Sequence, residues 1–233
     1  WEGDLTGSTN PAEITMDADK TVTAVFVETP HTVSTPNVPT GPAVGKVGQL
    51  LNFTTGGAVC SLGHPVEYRF DWGDGTFSLW SADTSASHTY ANPGTYQVRA
   101  QARCATDPSI VSDWSAGKRV DISWCQLTVN VDGGGHVEVD PDQTEFGWGA
   151  LVDLTAIPDP GWAFHHWEGD LTGTDNPDRL IMNGDKQVTA VFAPITYDLT
   201  VEVDPAGGGT TNPAVGTHTY DAGTVVDILS LIH

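Results

Sequence analysis

The stretch Trp167–Phe192, WEGDLTGTDNPDRLIMNGDKQVTAVF, already stands at the start of the chain as WEGDLTGSTNPAEITMDADKTVTAVF, Trp1–Phe26. The two align without a gap, and 17 of their 26 positions are identical. Self-similarity at this level marks an internal repeat, the feature of a sequence that most constrains its architecture. A second echo runs from CQLTVNVDGGGHVEVD at Cys125 to YDLTVEVDPAGGGTTN at Tyr197, and GALVDL (149–154) returns as GTVVDI (223–228). One complete unit therefore spans 125–193. Residues 1–28 read as the C-terminal half of another unit, and 195–228 as the N-terminal half of a third.

Inside the unit the patterning is that of half-buried strands. Leu127, Val129 and Val131 alternate with polar neighbours, as do Val152, Leu154 and Ala156, and Val188, Ala190 and Phe192. Gly133–Gly135 and Gly207–Gly209 lie between such runs and read as turns needing positive φ, with DPGW (159–162) and NGDK (183–186) as further turn punctuation. No segment sustains a helical period. On LTVNVDGGGHVEVDP, GALVDLTAIPDPGWAFHHWEGDLTG and MNGDKQVTAVF, the unit resembles the bacterial surface repeat related to the divergent internalin-type B-repeat. That resemblance implies a small β-rich tandem module, extracellular and stalk-like, with no catalytic residues.

Residues 44–123 do not repeat. Ahead of them, 29–43 carries Pro30, Pro36, Pro39 and Pro42 and reads as a stiff extended linker. Strand-like runs follow at Leu51/Phe53, Val66/Tyr68/Phe70 and Tyr96/Val98/Ala100, and several short strands with Gly/Pro/Asp turns suggest a two-sheet sandwich. The passage Phe70-Asp71-Trp72-Gly73-Asp74-Gly75, followed by His88, Tyr90, Gly94, Tyr96 and Val98, resembles the polycystic-kidney-disease (PKD) domain, which is an immunoglobulin-like β-sandwich. The fold class expected for the whole chain is all-β: this sandwich plus the repeat units.

Sandwich topology can bring Cys60 and Cys104 to one end of the domain. A Cys60–Cys104 disulfide would close a loop of about 45 residues and contribute around 4 kcal/mol in the chain-entropy model; two buried unpaired thiols are the alternative. Cys125 takes the place of Tyr197 in the sister unit and is expected to pack. The three cysteines fit no metal spacing such as C-x-x-C, so no metal ligand and no cofactor is expected. Asn52-Phe53-Thr54 is a glycosylation sequon whose Asn52 would face outward, opposite Leu51 and Phe53.

Other constellations yield no site. Asp71–Gly75 has Gly73 and Gly75 where a D-x-D-x-D-G calcium loop needs oxygen ligands. His165 and His166 are adjacent, so in a regular strand they point to opposite faces. No nucleophile elbow, zinc-protease helix or phosphate loop occurs, so no catalytic residue is assigned. Eight tryptophans invite a sugar-stacking reading, set against core packing for Trp72, Trp162 and Trp167.

Composition narrows the partners. There are 30 Asp plus Glu against 9 Lys plus Arg, a net charge of −21. Such a surface repels nucleic acid, whose binding needs clustered cations, and repels anionic lipid as well. No apolar run reaches the roughly 20 residues of a membrane-spanning helix, so direct insertion is not expected. Trp1 opens within a repeat, so the N-terminus reads as internal. At the other end Leu229–His233 leaves the repeat pattern and reads as a translated sequencing adaptor. The expected role is a non-catalytic spacer or adhesion module, extracellular or at the cell surface. Its partners would be other domains of the parent chain and a surface protein or carbohydrate. An accessory region of a secreted hydrolase, one that binds carbohydrate, is the alternative.

Overall fold

Alternation of apolar and polar residues, interrupted every few residues by glycine, proline or aspartate, produces strands and no helix among the residues described by the computed structural model, 1–204, 206 and 208–232. At the N-terminus β1 (Glu2–Gly3) pairs antiparallel with β2 (Val22–Thr23).

The non-repeating region is a two-sheet sandwich. Its strands are β3 (Val44–Lys46), β4 (Leu50–Thr54), β5 (Val66–Asp71), β6 (Ser85–Thr89), β7 (Gly94–Cys104) and β8 (Lys118–Ser123). One sheet has the order β3-β8-β7-β5 and the other is the β4-β6 pair. All neighbours are antiparallel except β3 and β8, the first and last strands, which pair in parallel. Leu51, Phe53, Phe70, Val98, Ala100, Val120 and Ile122 face inward and fill the space between the sheets, as the period of two requires.

The proline-rich 29–43, expected to be a stiff extended linker, packs against the sandwich over part of its length. Residues 33–40 lie along the sandwich: the Ser34, Asn37 and Thr40 amides donate to the carbonyls of Val59, Gly56 and Thr54. Val33, Pro36 and Pro39 are buried there. Proline suits such an edge because its missing N–H faces away from the ladder.

The complete repeat is also two sheets. Its strands are β9 (Cys125–Asp132), β10 (Gly135–Asp140), β11 (Glu145–Phe146), β12 (Ala150–Pro158), β13 (Trp162–Gly169), β14 (Asp178–Met182) and β15 (Lys186–Pro194). The orders are β10-β12-β14 and β11-β9-β15-β13, and the first and last strands, β9 and β15, again pair in parallel. Between the sheets lie Cys125, Leu127, Phe146, Val152, Leu154, Trp167, Met182, Val188 and Phe192, all buried. Cys125 packs there as expected, with burial holding its thiol pKa above the usual value.

Two local readings are corrected. In the turn 133–135 only Gly133 has positive φ. Gly134 and Gly135 are glycines for closeness, since a Cβ would lie 2.4 Å from the Trp162 indole nitrogen and 2.5 Å from the Phe192 ring. His165 and His166 do not point to opposite faces: a register shift between Phe164 and His166 brings their Nδ1 atoms to 2.6 Å, as a bulge does by breaking the alternation.

The two partial units repeat the complete unit's pairing. β1 and β2 join Glu2 to Thr23 and Gly3 to Val22, matching Glu168 to Thr189 and Gly169 to Val188. The Trp1 indole donates to Thr9 O as the Trp167 indole donates to Asp175 O. At the other end β16 (Thr196–Val201) pairs with β18 (Gly216–Asp221), and β17 (Gly209–Asn212) with β19 (Leu229–Ile232). Leu229–Ile232 thus occupy the strand position of β12 despite leaving the repeat pattern, because backbone pairing is indifferent to which side chains it carries. His233 lies outside the described residues. What the partial units lack is depth: Phe26 is 90 % exposed where Phe192 is 4 % exposed.

That contrast sets a measurable difference between identical residues at equivalent positions. Phe192→Ala is expected to cost about 3–5 kcal/mol, and Phe26→Ala no more than about 0.5 kcal/mol, in equilibrium denaturation of the full chain. Equal losses at both positions would show that Phe26 is buried in solution.

Candidate functional site

Three separate segments converge at one end of the sandwich. His31 precedes Val33, which bridges to Cys60. Cys60 opens a turn closed by the Gly63 amide on the Cys60 carbonyl, and this turn returns His64 to the same side. Cys104 ends β7, on the inward face shared by Ala100 and Ala102. The result is a buried pair of thiols with two half-buried imidazoles against them.

The Nε2 atom of His31 is 3.2 Å from the Cys60 sulfur, the two sulfurs are 3.9 Å apart, and His64 Nδ1 is 3.4 Å from the Cys104 sulfur. All four donor atoms lie within 4.8 Å of one another. Asp107 backs the group: its carboxylate is 3.7 Å from His31 Nδ1, and its amide donates to the Cys104 sulfur at 3.4 Å. Hydrogen bonds from the Ser109 hydroxyl and amide hold Asp107 below the ordinary carboxylate value, and the two histidines add to this. Burial pushes the Cys60 thiol up, but the Leu62 and His64 amides and the Cys104 thiol outweigh it, and the net shift is downward.

The expected Cys60–Cys104 disulfide is corrected. Topology does bring the two cysteines together, yet their sulfurs stand at nearly twice the roughly 2.05 Å of a bond, and all three cysteines are free. An imidazole nitrogen sits against each sulfur. The expectation of no metal ligands rested on the missing C-x-x-C spacing. The only local signal was Cys60-x-x-x-His64; His31 and Cys104 join it from 29 and 44 residues away from Cys60.

The other candidate positions are engaged by the protein. Trp72 stacks between Phe70 and His88, and the Tyr90 hydroxyl, buried, donates to the Trp72 carbonyl. Burial, with nearby Asp74 adding to it, raises the Tyr90 pKa. Gly73 must be glycine: its φ is +80, and a Cβ would lie 2.8 Å from the Gln97 amide nitrogen. Asp71 pairs with Arg99, and Asp74 with His88 at 2.7 Å. Outside the sheet Arg69 lies over Trp80 and Trp114, and Arg103 over Trp80, so guanidinium groups cover these indole faces. Trp72 and Trp167 are buried. Asn52 points outward on β4, its amide oxygen accepting from the Ser87 hydroxyl.

The Asp74–His88 contact ties the motif turn to β6 and gives two expectations. Burial raises the Asp74 pKa, but bonds from Thr76 and His88 outweigh it, and the folded value lies below 3.8. A carboxylate with a depressed folded pKa stabilises the fold above the ordinary carboxylate range, and this is lost as pH falls through the folded value. The stability gap between the native chain and Asp74→Asn should therefore be full at neutral pH and close below about pH 4, as read by denaturant titration across pH. A gap constant from pH 7 to 3 would remove the ion-pair account. Tyr90→Phe, which leaves the Trp72 carbonyl unpartnered, should cost about 1–3 kcal/mol.

Comparison with known proteins agrees with this architecture. Residues 36–105 match the model of the PKD domain, and residues 125–196 match that of the divergent InlB B-repeat domain. No curated protein matches the chain. Among solved structures it is similar to the PKD domain of an M14-like peptidase from Thermoplasmatales archaeon SCGC AB-540-F20, at 30% identity over 39% of this chain and 95% of that one, with a TM-score of 0.33. The sandwich thus carries a PKD-domain match, and the unit that follows it a divergent InlB B-repeat match.

Proposed function

We propose that the chain is a non-catalytic spacer and adhesion segment of a larger secreted or cell-surface protein, connecting or projecting other domains of its parent chain. Both domain types are typically non-catalytic modules of extracellular and surface proteins. The observation that carries the proposal is the junction between them. Strand β8 ends at Ser123 and β9 begins at Cys125, so Trp124 alone separates sandwich from repeat. Lys46 of the sandwich reaches across, donating to the Trp124 carbonyl at 3.0 Å and to Asp185 of the repeat at 2.7 Å. Asp185 also accepts from the Gln126 amide, and the Trp148 amide donates to the Val47 carbonyl. Modules clipped end to end with almost no linker suit transmission of position and force, where a flexible tether would not.

Acidity supports the same reading, since it disfavours nucleic acid and anionic lipid as partners and leaves protein or carbohydrate surfaces. Two experiments test the proposal. Small-angle scattering of the full chain should fit one fixed arrangement of the two domains, and Lys46→Glu, which sets like charges together, should broaden the distribution. Assay against glycosides, peptides and esters should give no turnover. Turnover abolished by one side-chain substitution would overturn the non-catalytic reading, and a native chain already as flexible as the Lys46→Glu variant would overturn the spacer reading.

A further inference from the structure

We propose that His31, Cys60, His64 and Cys104 hold a structural zinc ion that fastens the segment ahead of the sandwich to the end of its longest strand. Tetrahedral zinc with Zn–S of about 2.3 Å and Zn–N of about 2.0–2.1 Å places two sulfur ligands about 3.8 Å apart, and a sulfur and a nitrogen about 3.6 Å apart. The observed separations are 3.9 Å between sulfurs and 3.2 and 3.4 Å between each sulfur and its imidazole nitrogen. These three separations lie within about 0.4 Å of those in a coordination shell, all four donors fall within 4.8 Å of one another, and a disulfide would not produce this arrangement.

The chemistry of the donors selects the ion. Two thiolates and two imidazoles favour zinc over calcium or magnesium, which take oxygen ligands. Four protein donors fill a tetrahedral shell and leave no position for substrate, so the role is structural. Metal-bound histidine usually gives its second nitrogen to a carboxylate; His31 Nδ1 faces Asp107 across 3.7 Å. The Asp107 amide on the Cys104 sulfur would stabilise that thiolate as well.

The surroundings show why a clamp is useful there. The apolar cluster at this end consists of Val33, Ala58, Cys60, Tyr68, Ala102 and Cys104, mostly small side chains that bury little area. A bound ion couples three segments distant in sequence, and its binding free energy becomes folding free energy.

The full chain, produced with zinc in the medium and purified without chelator, tests this by elemental analysis and by cobalt substitution. One zinc per chain is expected in the native protein and in His165→Ala, falling to none in His64→Ala and in Cys104→Ser. The cobalt-loaded native chain should show the visible bands of a tetrahedral site with thiolate charge transfer, a reading independent of whether the variants fold. Chelation should open Cys60 and Cys104 to alkylation while Cys125 stays protected. The proposal is overturned by native protein that takes up no zinc when it is supplied in excess. A full equivalent retained by a His31→Ala/His64→Ala double variant, or a Cys60–Cys104 disulfide in the freshly purified chain, would overturn it equally.

Discussion

Both modules of this chain are closed by the same contact, the parallel pairing of their first strand with their last. In the sandwich, Val44 pairs with Asp121 and Lys46 with Ser123; in the repeat, Leu127 pairs with Lys186 and Val131 with Ala190. Parallel neighbours cannot be joined by a hairpin, so the intervening chain has to cross over. Here it crosses through the opposing sheet, and that crossing supplies the cover each apolar sheet face requires. The partial units show what happens without this closure. Residues 1–26 reproduce two pairs of β13 with β15, Glu2 with Thr23 and Gly3 with Val22, yet among the described residues no strand takes the place of β9. Met16 and Phe26 are then 70 % and 90 % exposed where Met182 and Phe192 are buried.

Electrostatics adds specificity more than cohesion. Of the nine lysines and arginines, seven (Lys20, Lys46, Arg99, Arg103, Arg119, Arg179 and Lys186) form ion pairs with carboxylates. Exposed pairs of this kind contribute little stability each. Their placement matters more: Lys46 sits at the junction between sandwich and repeat, and Arg99 holds Asp71 at the base of the motif turn. With so few cations engaged so fully, most of the 30 carboxylates remain unpaired, which sets the sign of the surface any partner meets.

The His/Cys cluster occupies the region where the apolar core is thinnest. The middle of the sandwich is filled by Phe53, Phe70, Trp72 and Tyr90, large rings in stacked and tilted contact. Toward the end bearing Cys104 the inward positions shrink to Ala100 and Ala102, and the polar donors gather where aromatic bulk stops. A small module gains most from a cross-link at such a place, because little buried area resists fraying there.

The sequence alone determined whatever depends on local pattern. Period-two alternation identified Leu51/Phe53, Val152/Leu154/Ala156 and Val188/Ala190/Phe192 as inward-facing strand residues, and gapless self-alignment located the repeat, because each property is written within a few neighbouring positions. The motif around Trp72, Tyr90 and Tyr96 was legible for the same reason. Tertiary structure decided what depends on residues far apart. That the prolines at 36 and 39 are buried along the sandwich follows from the edge offered by residues 54–59. That Gly134 and Gly135 are glycines follows from where Trp162 and Phe192 land. Whether Cys60 and Cys104 bond to each other or face two imidazoles depends on His31 and His64 arriving at the same end. Spacing along a chain carries no record of such a meeting, since strand crossing, and not sequence distance, sets which side chains converge.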